Sequence, residues 1–348
     1  MNPVVLTMIT LSLGLGTMMT FIGSHWLLVW MGLEINTLAI TPLMIHQQHP
    51  RAVEATTKYF LTQATASTLL LFASITNAWT SGEWSLFEML NPTSATLTTI
   101  ALALKIGLAP MHFWLPEVLQ GLDLTTGLIL TSWQKLAPFA ILLQLHPLLN
   151  SNLLLFLGIS SIIIGGWGGL NQTQLRKILA YSSIAHLGWM ITILHYSPNL
   201  SQLNLMLYII MTTTAFLLFK MLNSTNINSI AVSTVKSPLL AIISLMMLLS
   251  LGGLPPLSGF MPKWLILQEL TKQDLAIPAT IMALATLISL FFYLRLCYTM
   301  TLTISPNSIY FSSSWRMKSL QPNLMLMMTS SLSTLLLPLT PAIFMLTL

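Results

Sequence analysis

The sequence predicts an all-α membrane protein of about eleven transmembrane helices, two of them discontinuous. Three observations predict it. Hydrophobic residues make up 55% of the chain and charged residues only 6%, against roughly 25% charged in a soluble globular domain, and the mean hydropathy is +0.80. Apolar runs of about 20 residues, enough to cross ~30 Å of hydrocarbon, recur from Val4 to Leu348 with no long polar linker. Helix-breaking residues cluster in the middle of two of those runs, a pattern tolerated at membrane depth only where the backbone is buried in protein or lines a wet cavity. A water-soluble fold is excluded, and the 348 residues read as one membrane domain.

The spans fall at 3–21, 26–44, 56–80, 94–118 and 124–145, then at 149–170, 174–195, 199–222, 238–270 and 275–303, with an extra C-terminal helix at 323–346. The first, Pro3 to Phe21, has no Lys or Arg before it, and no Arg-rich amphipathic segment precedes the body of the chain. Neither a secretory nor an import signal is therefore expected, which fits a chain made inside the compartment that uses it.

The positive-inside rule tests this count, because one helix too many or too few would flip every later loop. With the N-terminus on side A, that side receives Arg51, Lys58, Arg176, Lys177, Lys220, Lys236, Arg316 and Lys318, while side B receives only Lys272. Side A should face the cytoplasm or a mitochondrial matrix. The same topology accounts for the net charge of +5: the basic residues are scattered, without the basic run and interleaved aromatics of a nucleic-acid surface. Cys297 is the single cysteine, which rules out an intrachain disulfide and any thiolate-held cluster.

In the fourth span the breakers are Gly107, Pro110 and Pro116; in the ninth they are Gly252, Gly253, Pro255, Pro256, Gly259 and Pro262. The two breaks lie five helices apart. A repeat of odd helix number reverses in the membrane, so helices 1–5 and 6–10 are expected to form an inverted pair with the last helix appended.

After the loops and span ends are assigned, four basic residues and one acid remain well inside spans: Lys105, Lys135, Lys263, Arg295 and Glu34. A charge at a helix centre costs ~2.5–3.5 kcal/mol on insertion scales, so these five must be offset by pairing, water or neutralisation. Low dielectric disfavours a lysine's charged form and so brings its proton exchange toward neutral pH, whereas arginine stays charged. Lys105, Lys135 and Lys263 are thus candidate proton carriers, with structural ion pairs as the alternative. Arg295 reads as a fixed charge or a side chain reaching the side A interface. Glu34, the one carboxylate at mid-depth, would favour the charged form of whichever lysine it approaches. A change in that distance would load or release a proton.

His112 and His186 are possible relays, since imidazole both accepts and donates; a satisfied structural histidine is an equal expectation. His25, His46, His49, His146 and His195 fall at loop ends. Gly14 and Gly16 begin a GxG, but Met19 stands where a dinucleotide fingerprint needs its third glycine. The cluster Gly165, Gly166, Gly168 and Gly169 predicts close helix packing. No metal site, nucleophile with a base, or phosphate-binding loop stands out.

Several stretches, taken together and in order along nearly the whole chain, resemble one family. They are Ser24 through Glu34, Leu104 to Pro116, Trp133-Gln134-Lys135-Leu136-Ala137-Pro138, Gly165 to Ser183 and Gly252 to Trp264. They closely resemble the chain 2 family of mitochondrial NADH:ubiquinone oxidoreductase, respiratory complex I, in an animal and specifically vertebrate form. That family is antiporter-like; its fuller members have fourteen helices around an inverted five-helix repeat, and this chain lacks room for the first three.

The resemblance implies a proton-translocating subunit of the membrane arm in the inner mitochondrial membrane, N-terminus in the matrix and C-terminus in the intermembrane space. It assigns Glu34 as the family's glutamate, Lys105 as its paired lysine, Lys135 as the central relay and Lys263 as the basic residue of the second broken helix, a position often held by glutamate in sister subunits. It implies no cofactor in this chain: NADH, FMN, iron–sulfur clusters and ubiquinone belong to other subunits. The implied partners are neighbouring antiporter-like and small membrane subunits, accessory subunits and the lipid bilayer. Two other readings stand beside it, a stand-alone cation/proton antiporter and a structural spacer whose charges hold helices together.

Overall fold

The computed structural model describes residues 2–46, 49–89, 91–236, 238–302 and 324–347. Arg316 and Lys318, used in the charge partition, lie outside them. Among the described residues the regular elements are helices, with extended pairing limited to two isolated bridges, His25 with Ser85 and Gln174 with Asn226.

Helices α1 (Pro3–Ile22), α2 (Trp26–Met44) and α3 (Pro50–Ser81) start where their sequences place caps. The Asn2 side chain accepts from the Val4 amide ahead of Pro3, and the His25 and His49 rings accept from the amides of Leu27 and Arg51. Each satisfies one of the donors that a helix start leaves open. Two of the loop-end histidines are thus N-caps.

The fourth span is α4 (Pro92–Ile106) and α5 (Trp114–Gly121), separated by a break; the fifth is α6 (Leu124–Thr131) and α7 (Trp133–Leu145). Then come α8 (Ser151–Gly169), α9 (Leu175–Ile193), α10 (Pro198–Met221) and α11 (Ile227–Lys236). The ninth span is α12 (Pro238–Gly252) and α13 (Phe260–Lys272), followed by α14 (Ala276–Leu302), α15 (Leu324–Leu335) and α16 (Thr340–Thr347). Among the described residues six helical runs are long and apolar enough to cross a membrane: Pro3–Ile22, Trp26–Met44, Leu124–Leu148, Ser151–Gly169, Pro198–Met221 and Ala276–Leu302.

Four details differ from the sequence reading. Helix α3 begins at Pro50 rather than 56, because His49 and Pro50 supply a cap and a first residue there. The fifth span is interrupted at Ser132, whose hydroxyl and amide both turn back to the carbonyl of Leu128. Helix α11 occupies a stretch that reads as loop. The last span is divided by a 3-10 turn at Leu337–Leu339, which contains Pro338.

Contacts divide the chain into two compact units, Met1–Ile162 with His186–Pro198, and Ile163–Ala185 with Asn199–Leu348. In the first, α1 and α2 meet through two glycines: a Cβ on Gly16 would lie 2.9 Å from the Gly32 carbonyl oxygen, and one on Gly32 the same distance from that of Gly16. Helix α3 is polar on its inner side, burying Thr56, Gln63, Ser67, Ser74 and Asn77, and sends Phe60, Leu61 and Phe72 outward. In the second unit Gly165 packs on the backbone at Ala185, Gly168 on the Tyr181 ring and Gly169 on the Phe292 ring, which is close helix packing.

The two breaks share a local structure. Gly107 ends α4 with φ of 85°, and Gly253 follows α12 with φ of 81°, a region glycine enters without the Cβ penalty. In the first break the amides of Gly107 and Leu108 both donate to the Ala103 carbonyl; in the second those of Gly253 and Leu254 both donate to that of Leu249. With the glycines in register, Leu108 falls on Leu254, Pro110 on Pro256, Trp114 on Phe260 and Pro116 on Pro262.

Candidate functional site

In the first unit a cavity of about 20 Å³ lies among α2, α3, α4 and α7, and its polar lining includes Asn36, Tyr59, Gln63, Lys105, Gln134 and Lys135, with the Trp114 ring beside them. One water needs ~10–15 Å³, so the cavity has room for it. Lys105 and Lys135, 30 residues apart in sequence, therefore line one polar space. Both are buried, 7% and 4% exposed. Lys105 arrives there because the break at Gly107 stops α4 one residue after it; Lys135 arrives there because Ser132 restarts the chain as α7 just ahead of it.

The walls are fixed by amide hydrogen bonds. The Gln134 side chain donates to both the backbone and side-chain oxygens of Asn36 at 3.2 Å, which clamps α7 on α2. Gln63 of α3 donates to the Lys105 carbonyl at 3.4 Å, and the Trp114 indole of α5 donates to that of Leu104 at 3.1 Å. The end of α4 is thus held from two sides.

Glu34 stands two residues before Asn36 on α2. Neither Glu34 nor Lys105 belongs to an ion pair within 4.0 Å. The Lys105 ammonium and the Glu34 Oε2 are both buried without a hydrogen-bond partner. A buried group left unsatisfied costs ~1–3 kcal/mol, more when charged, and such groups call for a functional account.

His112 is 2% exposed in the first break, its ring 3.3 Å from the Pro110 carbonyl and packed on Phe113. His186 is buried in α9. Neither is on the wall of the cavity. In the second unit the Lys263 ammonium donates to the Gly252 carbonyl at 2.9 Å, across the break, a placement the negative end of α12 favours. Arg295 donates to the Leu170 carbonyl at 2.9 Å, just past the end of α8. Among the described residues no three His, Cys, Asp or Glu side chains are arranged to hold a metal ion.

Reading the sequence for charges overlooked Asn36, Tyr59, Gln63, Trp114 and Gln134, which make the cavity as much as the lysines do. The available signal was an amide side chain inside an apolar run beside a buried charge: Asn36 follows Glu34, and Gln134 precedes Lys135.

Two broken helices, each with a lysine beside its break, belong to an antiporter-like membrane fold: the family described as "NADH:quinone oxidoreductase/Mrp antiporter, TM" matches residues 23–289. The NADH dehydrogenase subunit 2 C-terminus family matches residues 290–344. A NADH-ubiquinone oxidoreductase chain 2 from Squalus acanthias is 88% identical over 348 residues, 100% of both chains, and one from Scyliorhinus canicula is 78% identical over 346, 99% of each. A chain of respiratory complex I from Thermus thermophilus superposes with a TM-score of 0.81 at 26% identity, over 95% of this chain and 78% of that one. The chain belongs to the NADH-ubiquinone oxidoreductase chain 2 family.

Proposed function

We infer that this chain is a proton-translocating subunit in the membrane arm of respiratory complex I, in the inner mitochondrial membrane, moving protons in response to NADH oxidation and ubiquinone reduction on other subunits. The observation that carries the mechanism is the shared cavity of Lys105 and Lys135, with the Lys105 ammonium and the Glu34 Oε2 both buried and bonded to no protein group. In this reading Glu34 tunes the proton affinity of Lys105, Lys135 relays, and Lys263 exchanges with the far half-channel. His112 and His186 are candidate relays.

The whole chain acts as one antiporter-like membrane domain of eleven spans, the N-terminus in the matrix and the C-terminus in the intermembrane space. The shared hydrogen bonds and glycine conformation of the two breaks support descent from one five-helix unit, inverted in the repeat. NADH, FMN, the iron–sulfur clusters and ubiquinone are assigned to other subunits, and neighbouring antiporter-like, small membrane and accessory subunits are the partners.

The test is Lys135→Met in an assembled complex reconstituted in sealed vesicles. We expect fewer protons translocated per electron and slower coupled quinone reduction. Unchanged stoichiometry with intact assembly would remove Lys135 from the path and favour the structural-spacer reading.

A further inference from the structure

The two breaks share a backbone but are capped by different chemistry. A helix end leaves its last carbonyls without intrahelical donors, and at membrane depth water is scarce to supply them. At the end of α12 an ammonium serves: Lys263 donates to Gly252 at 2.9 Å. The residue in register with Trp114 there is Phe260, whose ring has no donor. At the end of α4 the donors are neutral, the Trp114 indole on Leu104 and the Gln63 amide on Lys105.

Lys105 lies in the last turn of α4. A lysine so placed is itself a ready cap, because its ammonium can bond the last carbonyls and is drawn by the negative helix end. Its ammonium nevertheless bonds no protein group. The carbonyls of Leu104 and Lys105 already have their donors.

We propose that Trp114 and Gln63 are positioning residues for proton transfer, neutral caps that occupy the end of α4 and so leave the Lys105 ammonium free to exchange its proton. The proposal rests on reading Lys105 as a proton carrier. It separates the two broken helices by role: the Lys105 proton moves without cost to its helix end, whereas a proton leaving Lys263 removes the charge that strengthens its cap on α12. The titratable groups facing Lys105 are Glu34 from α2, Tyr59 from α3 and Lys135 from α7. Trp114 packs on Tyr59 with ring centroids 5.8 Å apart, so replacing the indole with a phenyl ring retains the wall and removes the donor.

The experiment compares intact complexes carrying Trp114→Phe, Gln63→Met or Lys105→Met, by structure determination and by protons translocated per electron across a pH series. In Trp114→Phe we expect the Lys105 ammonium to turn to the Leu104 carbonyl, which favours its protonated form. The alkaline limb of the pH profile then moves up by about one unit, the size of one hydrogen bond from a charged donor. Adding Lys105→Met to Trp114→Phe should abolish that shift. Gln63→Met makes the same prediction at the Lys105 carbonyl and carries the test if Trp114→Phe does not assemble. A Lys105 side chain and a pH profile both unmoved in the assembled variant would overturn the proposal. If Lys105→Met alone leaves protons per electron unchanged, the carrier reading fails instead, while the position of the ammonium in Trp114→Phe still decides who caps α4.

Discussion

Gly253 shows how much one position can constrain. Its φ of 81° suits glycine, and a Cβ there would lie 2.7 Å from the Lys263 ammonium. Left-handed backbone costs a residue with a Cβ roughly 1–2 kcal/mol, and the contact adds the displacement of Lys263 from the Gly252 carbonyl. Gly253→Ala should therefore lower the melting temperature of the assembled complex and move the Lys263 ammonium off its cap, as seen by thermal denaturation and structure. The lysines themselves are legible in the sequence because an ionisable residue inside an apolar run has few benign explanations. The residues that make their surroundings are not. Trp114 and Tyr59 look like apolar filling until the fold shows the indole on the Leu104 carbonyl and the phenol on the cavity wall.

Elements divide the same way. The breaks within the fourth and ninth spans are written in Gly and Pro, so their positions can be read along the chain. The interruption at Ser132 has no glycine or proline beside it and depends on a serine turning back to Leu128, a choice that local sequence leaves open. Helix α11 is short and rich in Ser, Thr and Asn, so neither hydropathy nor length announces it. The α1–α2 contact is predictable in kind but not in partner: nothing along the chain says that Gly16 meets Gly32. Because each glycine stands 2.9 Å from the other's carbonyl oxygen through its missing Cβ, Gly16→Val should force the helices apart. Its expected outcome is loss of mature complex on a native gel, with a milder loss for Gly14→Val, where a Cβ meets nothing within 4 Å.

For the whole molecule, eight basic residues on one side against one on the other supply the topology proposed above. Lys58, bound by Glu54 and Glu117 at 2.8 Å each, and Lys272, 3.4 Å from Glu269, are both exposed cations assigned to opposite sides. A membrane-impermeant amine reagent should reach Lys272 in intact mitoplasts and Lys58 only in inverted inner-membrane vesicles; labelling of both from one side would reverse a span.

The inner polarity of α3 has a consequence for how the protein is made. A helix with Thr56, Gln63, Ser67, Ser74 and Asn77 on one side is poorly soluble in lipid by itself, and its covering helix α4 is synthesised afterwards. Release from the insertion machinery is then expected to wait until α4 emerges, the two leaving as a hairpin. In ribosome-bound chains ending before Pro92 a photocrosslinker at the outward-facing Phe72 should capture the insertion machinery, and in chains extended well past Ile106 it should capture lipid instead. The polarity of the proton site would thus set the order in which the chain enters its membrane.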